Sequence, residues 1–292
     1  MKRILLAIAL LWALTSQAQL LWKVTGNGLE KPSYLFGTYH LMPDTFVDSV
    51  PGLPEAIKSV DAVWTEVENA TMTSPEVVQK ISKLMIAPAD STIDVLLSKE
   101  GYEIVDGVVR RYLGTFGIGL DQVKNMRPSA LANQFVQLIA AKKVQNINPA
   151  HLLDGEVERR AKAIGKLTCS LESVDYQLHM LFGSPLKEQA AQLLEMCKSI
   201  EAQERNFLLM HNAYAAQDLE KLTQATADPE VMTAEQLEKL CFQRNRNWLP
   251  TIINEAQKGS ILVAVGAAHL TLDQGLINLL HQKGYTVEPV RE

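Results

Sequence analysis

Two apolar runs in this chain end alike. Ser33–Leu41 reads SYLFGTYHL and Ile261–Leu270 reads ILVAVGAAHL, and each closes on Gly-x-x-His: Gly37 with His40, Gly266 with His269. With 16 glycines in 292 residues and only six histidines, a glycine three places before a histidine is expected well under once. Both instances directly follow the most apolar strand-like runs. In an open α/β sheet, ligand sites form at the carboxyl ends of strands. A glycine there permits a sharp turn, and the histidine that follows can point back over the sheet edge. Two neighbouring strands built this way would set two imidazoles over one crevice.

The fold class follows from where such runs lie. Leu20–Thr25 reads as an edge strand, Tyr34–Thr38 as the next strand, and Ala62–Val67 as a β-branched strand leading to Glu66 and Glu68. Leu167–Leu171 reads as a further core strand ending at Glu172. Ile261–Val265 and Tyr285–Val290 close the set. Between them, about residues 75–256 carry mostly helical periodicity, as in PSALANQFVQLIAAKK and EQAAQLLEMCKSIEAQERNFLLMHNAYAAQ. The expectation is an α/β domain whose central mixed sheet joins N- and C-terminal βαβ-like units, with the helical middle as an insertion or cap. The two units echo one another as strand, Gly-x-x-His, helix, strand, acid, with Glu66 in one and Glu288 in the other.

The first eighteen residues read differently. Lys2 and Arg3 precede an uncharged run, Ile4–Leu14, and Thr15-Ser-Gln-Ala18 supplies small residues before Gln19. That is the pattern of a secretory signal peptide, and the run is too short to span a bilayer core of ~30 Å. Residues 19–292 are then one exported domain, periplasmic or secreted, with no stable membrane insertion. No cysteine follows the apolar run, so lipidation there is not indicated. The formal net charge is −5 and becomes more negative without the leader, which argues against a nucleic-acid partner, since phosphate contact needs clustered Lys and Arg. Cys169, Cys197 and Cys241 have no zinc-site spacing; they allow one disulfide with a thiol left over, or three buried thiols.

Two histidines need a further group to do most chemistry. Glu66 and Glu68, in VWTEVE, are two apart and would share one strand face. Two His and a carboxylate with open positions make a catalytic metal shell. His151 precedes Asp154 by three at a helix start, a weaker pair in which Asp154 can also serve the helix N-terminus. His179, His211 and His281 lie in amphipathic helices. RNRNW, Arg244–Trp248, gathers guanidinium, amide and indole groups, and Glu172 with Gln177 one turn on can join the same crevice. His-Glu-x-x-His, Gly-x-Ser-x-Gly, Walker and Gly-x-Gly-x-x-Gly patterns do not occur.

In this order, LFGTYHL, VWTEVE, LLDGEVERRAKAIGKLTCSLESVDYQL, RNRNW and VAVGAAHLTLDQGLINLLHQKGYTVEPV resemble the TraB/GumN family, which includes the Tiki-type metalloproteases. The likeness implies an α/β fold related to erythromycin esterase and to a haem-binding lipoprotein group. It implies that His40, Glu66 and His269 match metal or catalytic positions, that Arg244 and Asn245 match an Arg-Asn element, and that Asp154 and Glu172 match further acidic positions. Ala268 and Leu272 depart from it, standing where glycines are common.

The expectation is a metal-dependent hydrolase acting on a peptide or a small molecule. A divalent ion (Mn, Co or Zn) would be held by His40, Glu66 and His269, with Glu66 as ligand or general base. Arg244 and Asn245 would stabilise oxyanion charge, with Glu68, Asp154, Glu172, Gly37 and Gly266 in support. The alternatives are metal-free His/Glu hydrolysis and a non-enzymatic haem-binding, metal-binding or inhibitory module.

Overall fold

A computed structural model describes residues 19–144 and 152–291; the leader reading of residues 1–18 and the reading of His151 fall outside these. The chain forms a mixed α/β structure around one six-stranded sheet. Its strands are β1 (Leu21–Thr25), β2 (Ser33–Thr38), β3 (Ala62–Thr65), β4 (Leu167–Ser170), β5 (Ile261–Gly266) and β6 (Thr286–Pro289). Their spatial order is β4-β3-β5-β2-β1-β6. The β4-β3, β3-β5 and β5-β2 pairs are parallel, and β1 runs antiparallel to both β2 and β6. The carboxyl ends of β4, β3, β5 and β2 therefore share one rim.

The apolar runs lie where burial on both faces demands them. β5 is buried over Ile261–Val265 and β2 over Leu35–Thr38, as expected of central parallel strands covered on two sides. On one face Phe36, Val63, Leu262 and Ala264 pack with Leu53, Ile57, Val157 and Tyr214 from covering helices. On the other, Leu35, Val263 and Val265 pack with Trp248, Ile252, Leu276 and Leu280. The middle helices hold a separate core around Val105, Val109, Leu131, Phe135 and Leu193, and Leu41 inserts into it. His40 is thus followed at once by an anchor in the helical region.

Three sequence expectations change. β1 is interior, between β2 and β6, and the true edge on that side is β6; Pro289 in that strand donates no hydrogen bond, which an edge tolerates. β4 is the opposite edge, with Leu167 70% exposed, because β3 is its one neighbour. The two βαβ-like units interleave rather than sit side by side. The connection from β2 to β3 passes over β5, and the connection from β5 to β6 passes over β2 and β1. Glu288 then pairs with Lys23 in an exposed edge strand, while Glu66 follows β3 on the shared rim. The two acids are not counterparts.

The two Gly-x-x-His loops meet at Gly37. A Cβ there would lie 3.0 Å from Ala267 Cα and 3.0 Å from Leu270 Cδ1, so close approach of two backbones, not a sharp turn, requires this glycine. Its carbonyl accepts a 2.7 Å hydrogen bond from the buried Tyr214 hydroxyl. Tyr214→Phe should cost about 1–2 kcal/mol of unfolding free energy, the cost of leaving a buried carbonyl unpaired, read as a lower denaturant midpoint at unchanged slope.

Candidate active site at the carboxyl rim of the sheet

Four strand ends in spatial order deliver the site. Glu172 follows β4, Glu66 follows β3, Gly266 ends β5 with His269 after it, and His40 follows β2. The Gln243–Lys258 helix brings Arg244, Asn245 and Trp248 across that rim. It is entered through a widened π-type turn, Glu238–Phe242, in which the Gln243 N–H donates to the Glu238 carbonyl. Such turns rotate the residues beyond them off the ordinary helical face.

Arg244 is the hub. Its Nε donates to Glu172 Oε2 at 3.1 Å, and one terminal nitrogen donates to Glu172 Oε1 at 2.7 Å and to Glu66 Oε2. The other terminal nitrogen donates to the Leu240 carbonyl at 3.0 Å and to His269 Nε2 at 3.2 Å. The guanidinium also lies 4.7 Å over the Trp248 ring, whose indole N–H donates to Glu172 Oε2. All five of its N–H groups are spent, so it has none left for a developing oxyanion. Asn245 is fully buried and equally committed: its amide nitrogen donates to the His269 and Gln274 carbonyls. In this arrangement the donors of Arg244 and Asn245 hold Glu66, Glu172 and the His269 segment in place.

What Asn245 holds is His269. The two carbonyl acceptors fix the amide so that its oxygen faces His269 Nδ1 at 2.7 Å; Nδ1 therefore carries the proton and Nε2 its lone pair. Burial pushes the imidazole down to about 4, with Glu66 opposing and Arg244 reinforcing, so His269 is neutral at pH 7. His269 Nε2 lies 3.6 Å from Glu66 Oε1, which accepts the Gly266 N–H at 2.9 Å. Burial alone would raise the Glu66 carboxyl, yet the surrounding groups hold it down at about 2. The groups that do so are His269, charged at the low pH where this carboxyl titrates, then Arg244, His40 and the Gly266 N–H.

His40 is set differently. Its side chain is 72% exposed to the crevice, and its Nδ1 lies 3.0 Å from Asp154 Oδ2 at the start of the Leu153–Ala163 helix. The Asp154 charge and its hydrogen bond raise the imidazole to about 9, against a smaller desolvation effect.

Both histidines thus have Nδ1 engaged by an oxygen acceptor and Nε2 directed elsewhere, the support that metal-ligating imidazoles receive. A tetrahedral ion ~2.1 Å from two donors holds them ~3.4 Å apart, close to the 3.6 Å between Glu66 Oε1 and His269 Nε2. The donor types are those of a divalent-ion site, but the His269 Nε2 lone pair is taken by an Arg244 N–H, which an ion there would have to displace. His40 stands off from the other two: among the described residues no three His, Cys, Asp or Glu side chains are gathered into a metal cluster.

Glu68 does not join the site. β3 ends at Thr65, so the two-residue period no longer applies, and Glu68 turns to Thr168 and Lys162 beside β4. Gln177 does join, reaching Glu66 Oε2 at 3.4 Å and Glu172 Oε1 at 3.3 Å. Trp248 arrives as the indole of RNRNW, whereas Tyr214 was not singled out from sequence, since an aromatic at helical spacing looks like any core residue. The three cysteines are free thiols, Cys197 and Cys241 buried.

Leu272, two residues past His269's successor in the chain, adopts φ +67°. That is left-handed backbone where a branched side chain is strained, at a position where the resemblance calls for glycine. Leu272→Gly should leave stability unchanged or raise it by up to about 1 kcal/mol, since relief of strain offsets the entropy of glycine; thermal unfolding reads this. Arg244→Met should cost about 3–5 kcal/mol, as it leaves buried carboxylates uncompensated. The depressed Glu66 contributes stability that is full above about pH 4.5 and lost as pH falls through about 2; in Arg244→Met the loss should begin at higher pH. Histidine NMR titration of chelated protein should show His40 near 9, falling toward 6.5 in Asp154→Asn.

A sequence model described as the TraB/PrgY/gumN family matches residues 20–289. Metalloprotease TIKI2 of Danio rerio is 22% identical over an alignment of 325 positions, covering 92% of this chain and 60% of that protein. The chain thus spans about 60% of the length of this curated relative. No solved structure matches. With the family match running from before β1 to the end of β6, the chain belongs to the TraB/PrgY/gumN family.

Proposed function

We propose that this chain is an exported hydrolase of carbonyl substrates, peptide bonds first among them, using a divalent ion held by His40, Glu66 and His269. The observation that carries the reading is the matched support of two imidazoles flanking one carboxylate: Asp154 on His40 Nδ1 and Asn245 on His269 Nδ1. A bound ion would supply a water of lowered pKa and polarise the carbonyl. The chain's own residues do the rest. Glu66 stays ionised and aimed by Gly266 and Arg244, His269 is held in one tautomer and would offer Nε2 once Arg244 releases it, and Glu172 with Trp248 anchors Arg244 on its other side. The distant likeness to a protein named as a metalloprotease supports the hydrolase class.

A second reading is favoured by Arg244. Its charge already compensates Glu66 and contacts His269, which suits metal-free hydrolysis in which a histidine activates water beside Glu66.

Metal analysis of the purified chain from Gln19 onward separates the readings. Near-stoichiometric ion should be found, and His40→Ala and His269→Ala should each lose most of it. Full occupancy in both variants would sink the shared-ion proposal. Ester or peptide hydrolysis that survives exhaustive chelation would select the metal-free route.

A further inference from the structure

The three side chains expected to hold an ion do not share one open space. His40 and Glu66 line a cavity of 240 Å³ at the rim, whereas His269, 4% exposed, does not reach it. What stands against His269 Nε2 is a terminal nitrogen of Arg244 at 3.2 Å, and the other terminal nitrogen bonds Glu66 Oε2. One cation thus already bridges the imidazole and the carboxylate that a divalent ion would join. A neutral imidazole has one acceptor lone pair, so an ion and this N–H exclude each other at Nε2.

The other contacts of Arg244 leave it able to give this one up. Glu172 accepts from Nε at 3.1 Å and from a terminal nitrogen at 2.7 Å, the two-point fork in which guanidinium and carboxylate bind best. Trp248 lies under the guanidinium, and the nitrogen that touches His269 also donates to the Leu240 carbonyl at 3.0 Å. None of these three is an expected ion ligand. On leaving Glu66 and His269, Arg244 would therefore keep a charge partner, an aromatic platform and a carbonyl acceptor. Glu66 would keep a donor on that side too, because Gln177 Nε2 already reaches its Oε2 at 3.4 Å. Leu240 lies in the π-type turn Glu238–Phe242, an irregularity that recurs at functional sites in helices.

We propose that Arg244 is a placeholder cation: in the ion-free chain its guanidinium fills the seat between Glu66 and His269, and a divalent ion loads by displacing it onto Glu172. This rests on the ion-dependent reading above and adds how the seat is kept before loading. An empty seat would leave a buried carboxylate without a counter-charge, which is strongly destabilising. Arg244 prevents that state, and loading exchanges one cation for another at Glu66.

The test is calorimetric titration of the chain from Gln19 onward, stripped of metal and then freed of chelator, with Zn²⁺. Arg244→Lys keeps the positive charge but has a single nitrogen, which cannot hold Glu172 and reach His269 together. It should bind Zn²⁺ about five- to tenfold more tightly than the wild type, the weight of one hydrogen bond. Arg244→Met, which removes the charge as well, should bind more tightly still, and Zn²⁺ should raise its thermal midpoint by more than that of the wild type. NMR of the wild-type guanidinium gives a reading that needs no variant to fold. The terminal N–H signals of Arg244 should move when Zn²⁺ binds, while the Nε–H signal, held by Glu172, stays. Arg244→Lys binding Zn²⁺ no more tightly than the wild type would overturn the proposal whatever Arg244→Met does, since charge alone would explain the latter. Terminal N–H signals unmoved by bound Zn²⁺ would overturn it equally. Zn²⁺ binding by both variants and not by the wild type would refute the ion-dependent hydrolase reading and leave the placeholder standing.

Discussion

One buried cation organises the rim of the sheet. Arg244 is 10% exposed at its side chain and bonds Glu66 and Glu172, themselves 14% and 4% exposed. Taking such a group out of water costs several kcal/mol per ion, repaid only when every donor finds an acceptor in good geometry. The five N–H groups of Arg244 do so across four separate elements, the ends of β4, β3 and β5 and the π-type turn before the helix that carries it. That requirement ties electrostatics to topology. Glu172, Glu66 and His269 can surround one guanidinium only if β4, β3 and β5 are neighbours in that order, which is the order observed. A strand exchanged or slipped by one residue would leave a charge buried and alone.

The same constraint explains why Asn245 and Trp248 are where they are. Once Arg244 is fixed, its successor in the helix is fixed too, and Asn245 lands on His269 Nδ1. One turn along, Trp248 lies tilted with its ring centre 4.6 Å from that of His269, and its indole N–H donates to Glu172. The π-type turn before the helix is part of this device: Leu240, within it, offers the carbonyl that takes an Arg244 N–H. The dense grouping of RNRNW in the sequence reflects a single helix face serving one cation and one imidazole.

How far the sequence revealed this depended on whether the signal was local. The apolar runs of β2 and β5 and their shared ending were legible because burial on both faces leaves a continuous pattern, and that pattern placed His40, His269 and Glu66 on one rim. Pairing was not legible. That β5 lies between β2 and β3, that β1 is interior and that β4 is an edge are matters of partners distant in the chain. The echo of Glu66 in Glu288 failed for that reason, and Glu68 was misjudged because its strand stops at Thr65.

The repeated Gly-x-x-His is therefore a repeat of geometry and not of chemistry. The first histidine stands in an open crevice beside a carboxylate and keeps its proton to about pH 9. The second is enclosed between Arg244, Trp248 and Asn245 and gives up its proton near pH 4. Even the glycines differ in purpose: Gly37 permits the two loops to touch, whereas Gly266 lends its N–H to Glu66. Between pH 4 and 9 the rim thus presents one imidazolium and one neutral imidazole on either side of a carboxylate held ionised. Two strand ends of like sequence have been made into unlike partners by what packs against them.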